Sequence, residues 1–350
     1  MKKIMDYVWP CVGLVAVVLS VQTLYEKLHS EAATDEAVRE ALEKSGLWDS
    51  IGIIAHVIGA KLGAIPTQGY VLAVFSTLAA YAALAWYDRI ALLHLRKTNG
   101  ISWTFITLCS FTTYALSHNI GASVFSGGAV RYRAYSSKGL TPAEIAVLVA
   151  LCSFTFAFGT TLLTGMVLLG EPHVVSPLLE KSPFRGTSLT VVQAVGAAML
   201  GACALYIFGS WKQLKPLTIR SFKLEYPRME VVKRQLVAAP LELIGAAGII
   251  YFALPEAGNP GFFVVLGAFL LSFSAGLLAQ VPGGVGVMEI VFITVMPGMS
   301  SAAVFAALLV WRLLYLLLPL AMSLPIILAF ERGQIKAKHG CEPEKPSGGL

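Results

Sequence analysis

Long apolar runs alternate with short polar loops along this chain of 350 residues. A helix needs roughly 20 apolar residues to cross the hydrocarbon core of a bilayer. The pattern predicts an all-α polytopic membrane protein with about six full spans of that length. The apolar runs assigned as spans are 8–24, 69–87, 142–169, 187–211, 235–254 and 300–330.

Two further apolar runs end in closely spaced glycines. The run from 101 to 126 stops at Gly127 and Gly128, and the run from 261 to 280 stops at the stretch that contains Pro282, Gly283, Gly284 and Gly286. Glycine and proline disrupt a helix more than other residues do. We therefore predict a backbone break at each of these two stretches.

The charges of the loops give the sidedness of the spans. The loop at 212–234 has seven basic and two acidic residues, and such loops remain in the cytoplasm. Counting back from this loop requires that 101–126 enters and leaves on the inner side, and 261–297 on the outer side. We predict two re-entrant hairpins, although plain spans with glycines at helix contacts remain an alternative.

The spacing indicates an internal repeat. Span starts near 69 and 141 recur near 228 and 300, an offset of 159 residues in both cases, while Gly127 and Gly283 are 156 apart. Inverted repeats whose broken helices meet near the midplane are typical of secondary transporters. We predict one integral membrane domain at 1–331 and a cytoplasmic polar tail, with both termini cytoplasmic. The parts are a first span (8–24), an outer polar and interfacial segment (25–67), repeat one (69–169), a linking span (187–211), repeat two (229–331) and the tail (332–350).

The composition narrows the class of protein. Hydrophobic residues make up 56% of the chain and charged residues 13%, against about a quarter charged in soluble domains. The net charge of +6 belongs to loops between spans, so it does not indicate nucleic-acid binding. No CxxC, HExxH, GxSxG or Walker motif is present, so we expect neither a metal site, a cofactor nor an enzyme.

Arg131 and Arg133 follow the first predicted break. A guanidinium group holds phosphate with two parallel hydrogen bonds, so these residues, with Tyr132 between them, suit a phospholipid headgroup. The alternative is that both arginines anchor the chain at the membrane interface.

The remaining candidates are charged or polar residues within apolar runs, which are expensive to bury and therefore mark functional sites. Glu289 follows the second break and either pairs with Arg312 or faces a cationic headgroup. Glu242 likewise either has a structural partner or faces a cationic headgroup. Asp88 and Arg89 close a span, where a local ion pair is expected, and Asn119 precedes the first break with a helix-stabilising or a ligand-binding role.

The motifs resemble the transmembrane region of lysylphosphatidylglycerol synthase, the membrane half of the bacterial multiple peptide resistance factor. The similar stretches are YDRIAL at 87–92, SHNIG at 117–121, GGAVRYRAYSSKGL at 127–140 and PGGVGVME at 282–289. The resemblance implies an inner-membrane protein that moves aminoacylated phosphatidylglycerol between leaflets. It also implies either a stand-alone relative or a separated membrane half, because no transferase domain follows the last span in this sequence.

Three functions remain open at this level. The first is a flippase that binds membrane phospholipid. The second is a non-transporting subunit that presents lipid to a separate lipid-modifying enzyme, and the third is an intramembrane lipid transferase with Glu242 and Glu289 as its acid and base. A homodimer is an expectation from the resemblance.

Overall fold

The computed structural model describes residues 29, 47–120, 123–214, 217–219, 222–224 and 226–339. The span predicted at 8–24, most of the polar segment that follows it and the end of the tail lie outside the described residues.

Helices dominate the described part of the chain. In chain order they are α1 (Leu47–Gly63), α2 (Thr67–His94), α3 (Trp103–Ile120), α4 (Ser123–Ser136), α5 (Pro142–Gly170), α6 (Ser176–Glu180), α7 (Leu189–Lys212), α8 (Met229–Ala253), α9 (Phe262–Leu278), α10 (Val287–Val295), α11 (Ser301–Trp311) and α12 (Leu318–His339). Short 3₁₀ turns lie at Pro172–Val175 and Pro282–Gly284, and a π-helical turn joins α11 to α12 at Arg312–Leu317. Two antiparallel strands, β1 (Leu217–Ile219) and β2 (Phe222–Leu224), lie in the basic loop. The predicted all-α membrane class is confirmed, with this small hairpin added.

Within the described residues, five helical stretches are long and apolar enough to cross a membrane. They are Thr67–His94, Pro142–Gly170, Leu189–Lys212, Met229–Ala253 and Ser301–Phe330. These stretches correspond to predicted spans. The α12 helix continues to His339, so the backbone is still helical in the first part of the predicted polar tail.

Helices α2 and α8 cross at the centre of the molecule and run antiparallel. Gly245 and Gly248 of α8 face Ser76 and Ala80 of α2 so closely that a side chain at either glycine would meet them. At the other end of the pair, Arg228 donates a hydrogen bond of 2.8 Å to the carbonyl of Leu93. Small residues let two backbones approach in this way, which is how membrane helices commonly associate.

The first hairpin consists of α3 and α4, and its glycine pair is not where the helix breaks. Gly127 and Gly128 lie inside α4, which begins at Ser123, so the break predicted at this pair was wrong. Gly127 instead allows α4 to pack closely on α3, because a Cβ there would lie 2.7 Å from Oγ of Ser117. The prediction of a helical hairpin agrees with the structure, since α4 turns back and packs along α3.

The second hairpin consists of α9 and α10, and here the predicted break is confirmed. Gly283, Gly284 and Gly286 all have positive φ angles, between 60° and 79°, a conformation that glycine adopts at little cost. The 3₁₀ turn that begins at Pro282 occupies the same stretch. With nine residues, α10 is about 14 Å long, too short to cross the roughly 30 Å hydrocarbon core.

The two hairpins open at opposite ends of the molecule. Nζ of Lys97, before α3, lies 3.1 Å from the carboxylate of Glu144, after α4, so both ends of the first hairpin are together. We call this the basic end; it is also where Arg228 begins α8. The second hairpin opens at the other end, where a Cβ on Gly258, before α9, would lie 3.6 Å from the carbonyl of Gly298, after α10.

The packing of the helices repeats with the sequence. In the first half α2 contacts α3, α3 contacts α4, α4 contacts α5, and α2 contacts α5; in the second half α8, α9, α10 and α11 make the same four contacts. The equivalent helices α2 and α8 are antiparallel, as an inverted repeat requires. The fold therefore supports the predicted two-fold repeat of span, hairpin and span.

Candidate functional site

A buried ion pair connects the first hairpin to the centre of the molecule. Nη2 of Arg131 on α4 donates to Oδ1 of Asp88 on α2 at 2.7 Å, and Nε donates to both carboxylate oxygens at 3.2 and 3.3 Å. Tyr135, one turn after Arg131, donates to Oδ2 at 2.9 Å. The guanidinium also lies over the ring of Tyr114 on α3, 4.9 Å from its centroid. Asp88 is 0% and Arg131 4% exposed, so both charges are fully removed from solvent and paired.

A second buried ion pair holds the second hairpin. Nε of Arg312, in the π-helical turn, donates to Oε1 of Glu289 on α10 at 2.5 Å. Nη1 of the same arginine donates to the carbonyl of Gly283 at 2.8 Å. The main-chain N–H of Gly286 donates to Oε2 of Glu289 at 2.8 Å. The ion pair and these two bonds fix the glycine break against the last span, and a π-helical turn at such a residue is a frequent mark of function.

The tips of the two hairpins meet at mid-height of the molecule. A Cβ on Gly283 of the second tip would lie 4.0 Å from the carbonyl of His118, near the end of α3, and 3.5 Å from Nη1 of Arg312. The next residue, Asn119, donates two hydrogen bonds from Nδ2. One goes to the carbonyl of Leu316 in the π-helical turn at 3.1 Å, and the other to the carbonyl of Ala115 at 2.7 Å. The first tip is therefore tied to the same turn that holds the second.

Two adjoining cavities lie between the hairpins, and we call them together the chamber. The smaller, of about 50 Å³, lies between the tips, and the larger, of about 220 Å³, extends towards Arg131. They share Ser117, His118, Phe273, Leu277 and Gln280 as lining residues. Two nitrogen atoms of the smaller cavity's lining residues, Nδ1 of His118 and Nε1 of Trp311, are buried and have no hydrogen-bond partner among the residues that the structure describes. The chamber thus combines an apolar wall with polar groups that can receive a polar ligand.

A separate apolar groove runs beside the first hairpin. It has a volume of about 540 Å³ and lies between α3, α4 and α12. Side chains such as Leu108, Val130, Ile327 and Phe330 line it, together with Arg133. The groove is lined mainly by apolar side chains, which suit a lipid tail, and by one arginine, which suits a phosphate.

The predicted lipid-binding residues fall into three groups. Arg131 and Glu289 are buried and Arg312 is partly buried in the ion pairs, Asn119 ties the tips together, and the exposed Tyr132 and Arg133 are on the outside of α4. The interfacial-anchor alternative for Arg131 is wrong, because that side chain is buried. Of the two alternatives for Glu289, the structure shows the pairing with Arg312.

The local ion pair expected between Asp88 and Arg89 was wrong. Asp88 pairs with Arg131, while the guanidinium of Arg89 lies 5.2 Å from the ring centroid of Trp103. Neighbouring residues on a helix point about 100° apart, so a buried acid at this position has to find its partner on another helix.

Glu242 is the third buried acid, and its surroundings differ from those of the other two. Its carboxylate accepts hydrogen bonds from Tyr315 at 2.6 Å and from Tyr87 at 3.5 Å. It does not meet Glu289, whose carboxylate is held by Arg312 and the main chain. The structure therefore does not bring together Glu242 and Glu289, the acid and base expected for an intramembrane transferase.

Sequence reasoning missed the aromatic residues of the site. Tyr114 and Tyr135 contact the first ion pair, and Tyr87 and Tyr315 hold Glu242. Tyr135 follows Arg131 by four residues, a helical spacing that puts both on one face. The other three are aromatic residues in apolar runs, which look the same in sequence as residues that only fill space.

The described residues contain no cluster of three or more His, Cys, Asp and Glu side chains that could hold a metal ion. What the fold and site define is an all-α polytopic membrane protein, built from two halves whose helical hairpins meet around buried charges.

Comparison with known proteins gives the family. No protein-family model matches the chain. It is 30% identical over 272 residues to the uncharacterized protein slr0712 of Synechocystis sp., a match covering 75% of this chain and 81% of that protein. It is also 30% identical over 230 residues to the inner membrane protein YbhN of Escherichia coli, covering 65% and 69% of the two chains. The chain belongs to the family of slr0712 and YbhN.

A more distant similarity connects this family to a lipid enzyme. The chain is 24% identical over 342 residues to the phosphatidylglycerol lysyltransferase of Staphylococcus haemolyticus, covering 96% of this chain but 35% of that longer protein. The resemblance predicted from the motifs is supported at this coarser level, as a membrane family related to the lysyltransferase.

Proposed function

We propose that the protein moves a phospholipid of the phosphatidylglycerol type between the leaflets of a membrane. The observation that carries this proposal is the meeting of two oppositely directed hairpins, tip to tip, around a chamber with buried ion pairs on both sides. Inverted repeats with broken helices at a central site allow the site to open alternately to either face. The mechanism moves the lipid without chemical change, so the protein acts as a transporter and not as an enzyme.

Each hairpin is re-entrant in this proposal. The short α10 helix, and α4 with 14 residues or about 21 Å, both fall short of the membrane thickness. Broken backbone at that depth has to lie within protein or beside a polar cavity, and the chamber provides such a surrounding. The contacts between the two tips then close the path of the headgroup, and they separate when the headgroup passes.

The lipid contacts the groove and the chamber at successive steps, because the two share no lining residue. It first binds in the apolar groove between α3, α4 and α12, with Arg133 near the phosphate. The headgroup then enters the chamber beside Arg131, Ser117 and Gln280, where polar groups replace its hydration shell, and the acyl tails stay in the bilayer. Such a division avoids the cost of moving tails through a polar site.

The relatives support a lipid substrate and a location. The Staphylococcus protein is named as a phosphatidylglycerol lysyltransferase, which supports phosphatidylglycerol or its lysyl ester as the substrate. The name of YbhN supports the bacterial inner membrane as the location. We place the basic end, which includes Lys97 and Arg228, on the cytoplasmic side because basic loops remain there.

The test is lipid movement in liposomes that contain the purified protein. Fluorescent short-chain phosphatidylglycerol is placed in the outer leaflet, and its loss to the inner leaflet is followed by back-extraction with albumin. Ser153→Trp fills the chamber from α5 and replaces no residue of either ion pair. Met166→Trp, at an exposed position of the same helix, is the matched control.

We expect the wild type and Met166→Trp to move the lipid at similar rates, and Ser153→Trp to be slower by tenfold or more. Equal rates for all three and for protein-free liposomes would remove the transport function. Tight binding of the lipid without movement would favour the alternative, a non-transporting subunit that presents lipid to a separate lipid-modifying enzyme.

A further inference from the structure

Glu242 is a buried carboxylate that has no cation beside it in the described part of the chain. It lies on α8 where this helix crosses α2, and it is 1% exposed. Asp88 and Glu289, the other buried acids of the described residues, each have an arginine partner. An unpaired carboxylate is expensive at this depth, and such residues in membrane proteins mark ion and proton pathways.

The groups around Glu242 are hydroxyls. Tyr315 and Tyr87 donate to its two oxygens, and Tyr81 donates 2.9 Å to the carbonyl of Tyr315. An ionised carboxylate only accepts hydrogen bonds, whereas the protonated acid carries one donor. The protonated acid therefore needs an acceptor for its own O–H, and a tyrosine hydroxyl that rotates can supply one.

Other titratable groups near this point have their own partners or are aromatic. Arg131 is held by Asp88 and Arg312 by Glu289, and neither cation contacts Glu242. The titratable groups that bond to Glu242 or to its tyrosine partner are Tyr81 and Tyr87 on α2 and Tyr315 in the π-helical turn. Among other titratable groups on the helices packed against α8, Asp88 on α2 is held by Arg131, Cys152 on α5 bonds to Asp88, and Tyr206 on α7 bonds to Gln235.

Glu242 is connected to the chamber through Tyr315. The ring of Tyr315 is stacked on that of His118 with 5.3 Å between centroids, and His118 lines both cavities of the chamber. Tyr315 also belongs to the same π-helical turn as Arg312, which holds the tip of the second hairpin. A change in the hydrogen bond of the Tyr315 hydroxyl can therefore affect the position of His118 in the chamber and the position of Arg312 at the tip of the second hairpin.

We propose that Glu242 is a proton-binding site and that its proton drives the lipid across the membrane. The carboxylate takes one proton from water on one side, becomes the neutral acid, and releases the same proton to water on the other side. No other bond is made or broken. Proton binding stands on the geometry of Glu242 alone, while the coupling rests on the proposed lipid transport.

Proton binding is measured directly by infrared difference spectroscopy during a pH titration of the purified protein. We expect a carbonyl band of a protonated acid that appears as the pH falls and that is missing in Glu242→Gln. Glu230→Gln, on the same helix but exposed to solvent, keeps the band. Tyr315→Phe preserves the carboxyl group and removes its shorter hydrogen bond, so the band persists at a shifted frequency. A spectrum that Glu242→Gln and Tyr315→Phe both leave unchanged overturns the proton site.

The coupling is measured in the liposome assay with an imposed pH gradient. With one proton per lipid, a gradient of one pH unit shifts the distribution of the lipid between leaflets by up to about tenfold. We expect this shift in the wild type and in Glu230→Gln, and no shift in Glu242→Gln. A distribution that does not respond to the gradient, in a wild type that does move lipid, overturns the coupling. Absence of all lipid movement removes the proposed transport and its coupling, while the infrared band still decides the proton site.

Discussion

Gly127 of α4 lies against Ser117 of α3, with room for a hydrogen atom but none for a methyl group. A Cβ at this glycine would be 2.7 Å from Oγ of Ser117 and 3.2 Å from Cγ2 of Thr113. A Cβ on the neighbouring Gly128 would meet nothing within 4 Å. Two adjacent glycines in the same helix thus have opposite roles, and this difference can be measured.

Gly127→Ala should destabilise the protein by about 1–3 kcal/mol, because the methyl group overpacks the contact between α3 and α4. Gly128→Ala should stabilise it by about 0.5–1 kcal/mol, because alanine loses less backbone entropy in a helix. Thermal unfolding in detergent, followed by circular dichroism, compares the two. Equal melting temperatures would show that α4 does not pack on α3 as described.

Removal of one partner of the Asp88–Arg131 pair should cost about 3–5 kcal/mol, because the other charge remains buried alone. Asp88→Ala and Arg131→Ala are therefore each expected to unfold at clearly lower temperature. The double variant Asp88→Leu with Arg131→Met should recover much of the loss, because it leaves no buried charge.

The exposed pair between Glu230 and Arg234 provides the control for this series. Arg234→Ala should change the stability by at most about 1 kcal/mol. If Arg131→Ala were as mild as Arg234→Ala, the first ion pair would not be buried as the structure has it.

The hairpins should be detectable by cysteine labelling in intact cells or oriented vesicles. Cysteines at Asn99 and Ser137, which flank the first hairpin, should react with a membrane-impermeant maleimide from the same side. Cysteines at Glu256 and Gly298, which flank the second hairpin, should react from the other side. Labelling of Asn99 and Ser137 from opposite sides would mean that the α3–α4 segment crosses the membrane once.

Arg133→Ala should slow lipid movement by about ten- to a hundredfold, because a charge-assisted hydrogen bond to phosphate contributes about 1.5–3 kcal/mol. Arg133→Lys should retain part of the rate, since it keeps the charge but loses the two-pronged geometry. Arg89→Ala, an arginine on α2 that lies against Trp103 and away from the groove's lining, serves as the control in the same liposome assay. Rates for Arg133→Ala that match this control would separate Arg133 from the lipid path.

The sequence predicted the second hairpin more accurately than the first. At Pro282–Gly286 three glycines are needed for positive φ angles, so local chemistry alone fixes the break. Gly127 and Gly128 have ordinary helical conformations, and the need for glycine at 127 comes from close packing against the neighbouring helix. A glycine that makes a turn and a glycine that makes a close contact look the same in a sequence.

For the charged residues too, the sequence predicted one part of the result and the structure decided the other. Their positions in apolar runs already marked Glu289, Arg312 and Glu242 as special, because burial of charge is costly wherever it occurs. Arg131 was marked because it follows the predicted glycine break. Which charge meets which was decided by the packing of helices far apart in the chain. Asp88 and Arg131 are 43 residues apart, and no spacing rule connects residues on separate helices.

By itself the sequence determined the membrane class, the repeat, the basic end and the second break, because hydrophobic length, loop charge and backbone conformation are local properties. Only the tertiary structure decided that the tips of the hairpins meet, that Arg131 turns inward to Asp88, and that Glu242 is left among tyrosines. These outcomes depend on contacts between helices, whose geometry follows from the shapes of both surfaces at once.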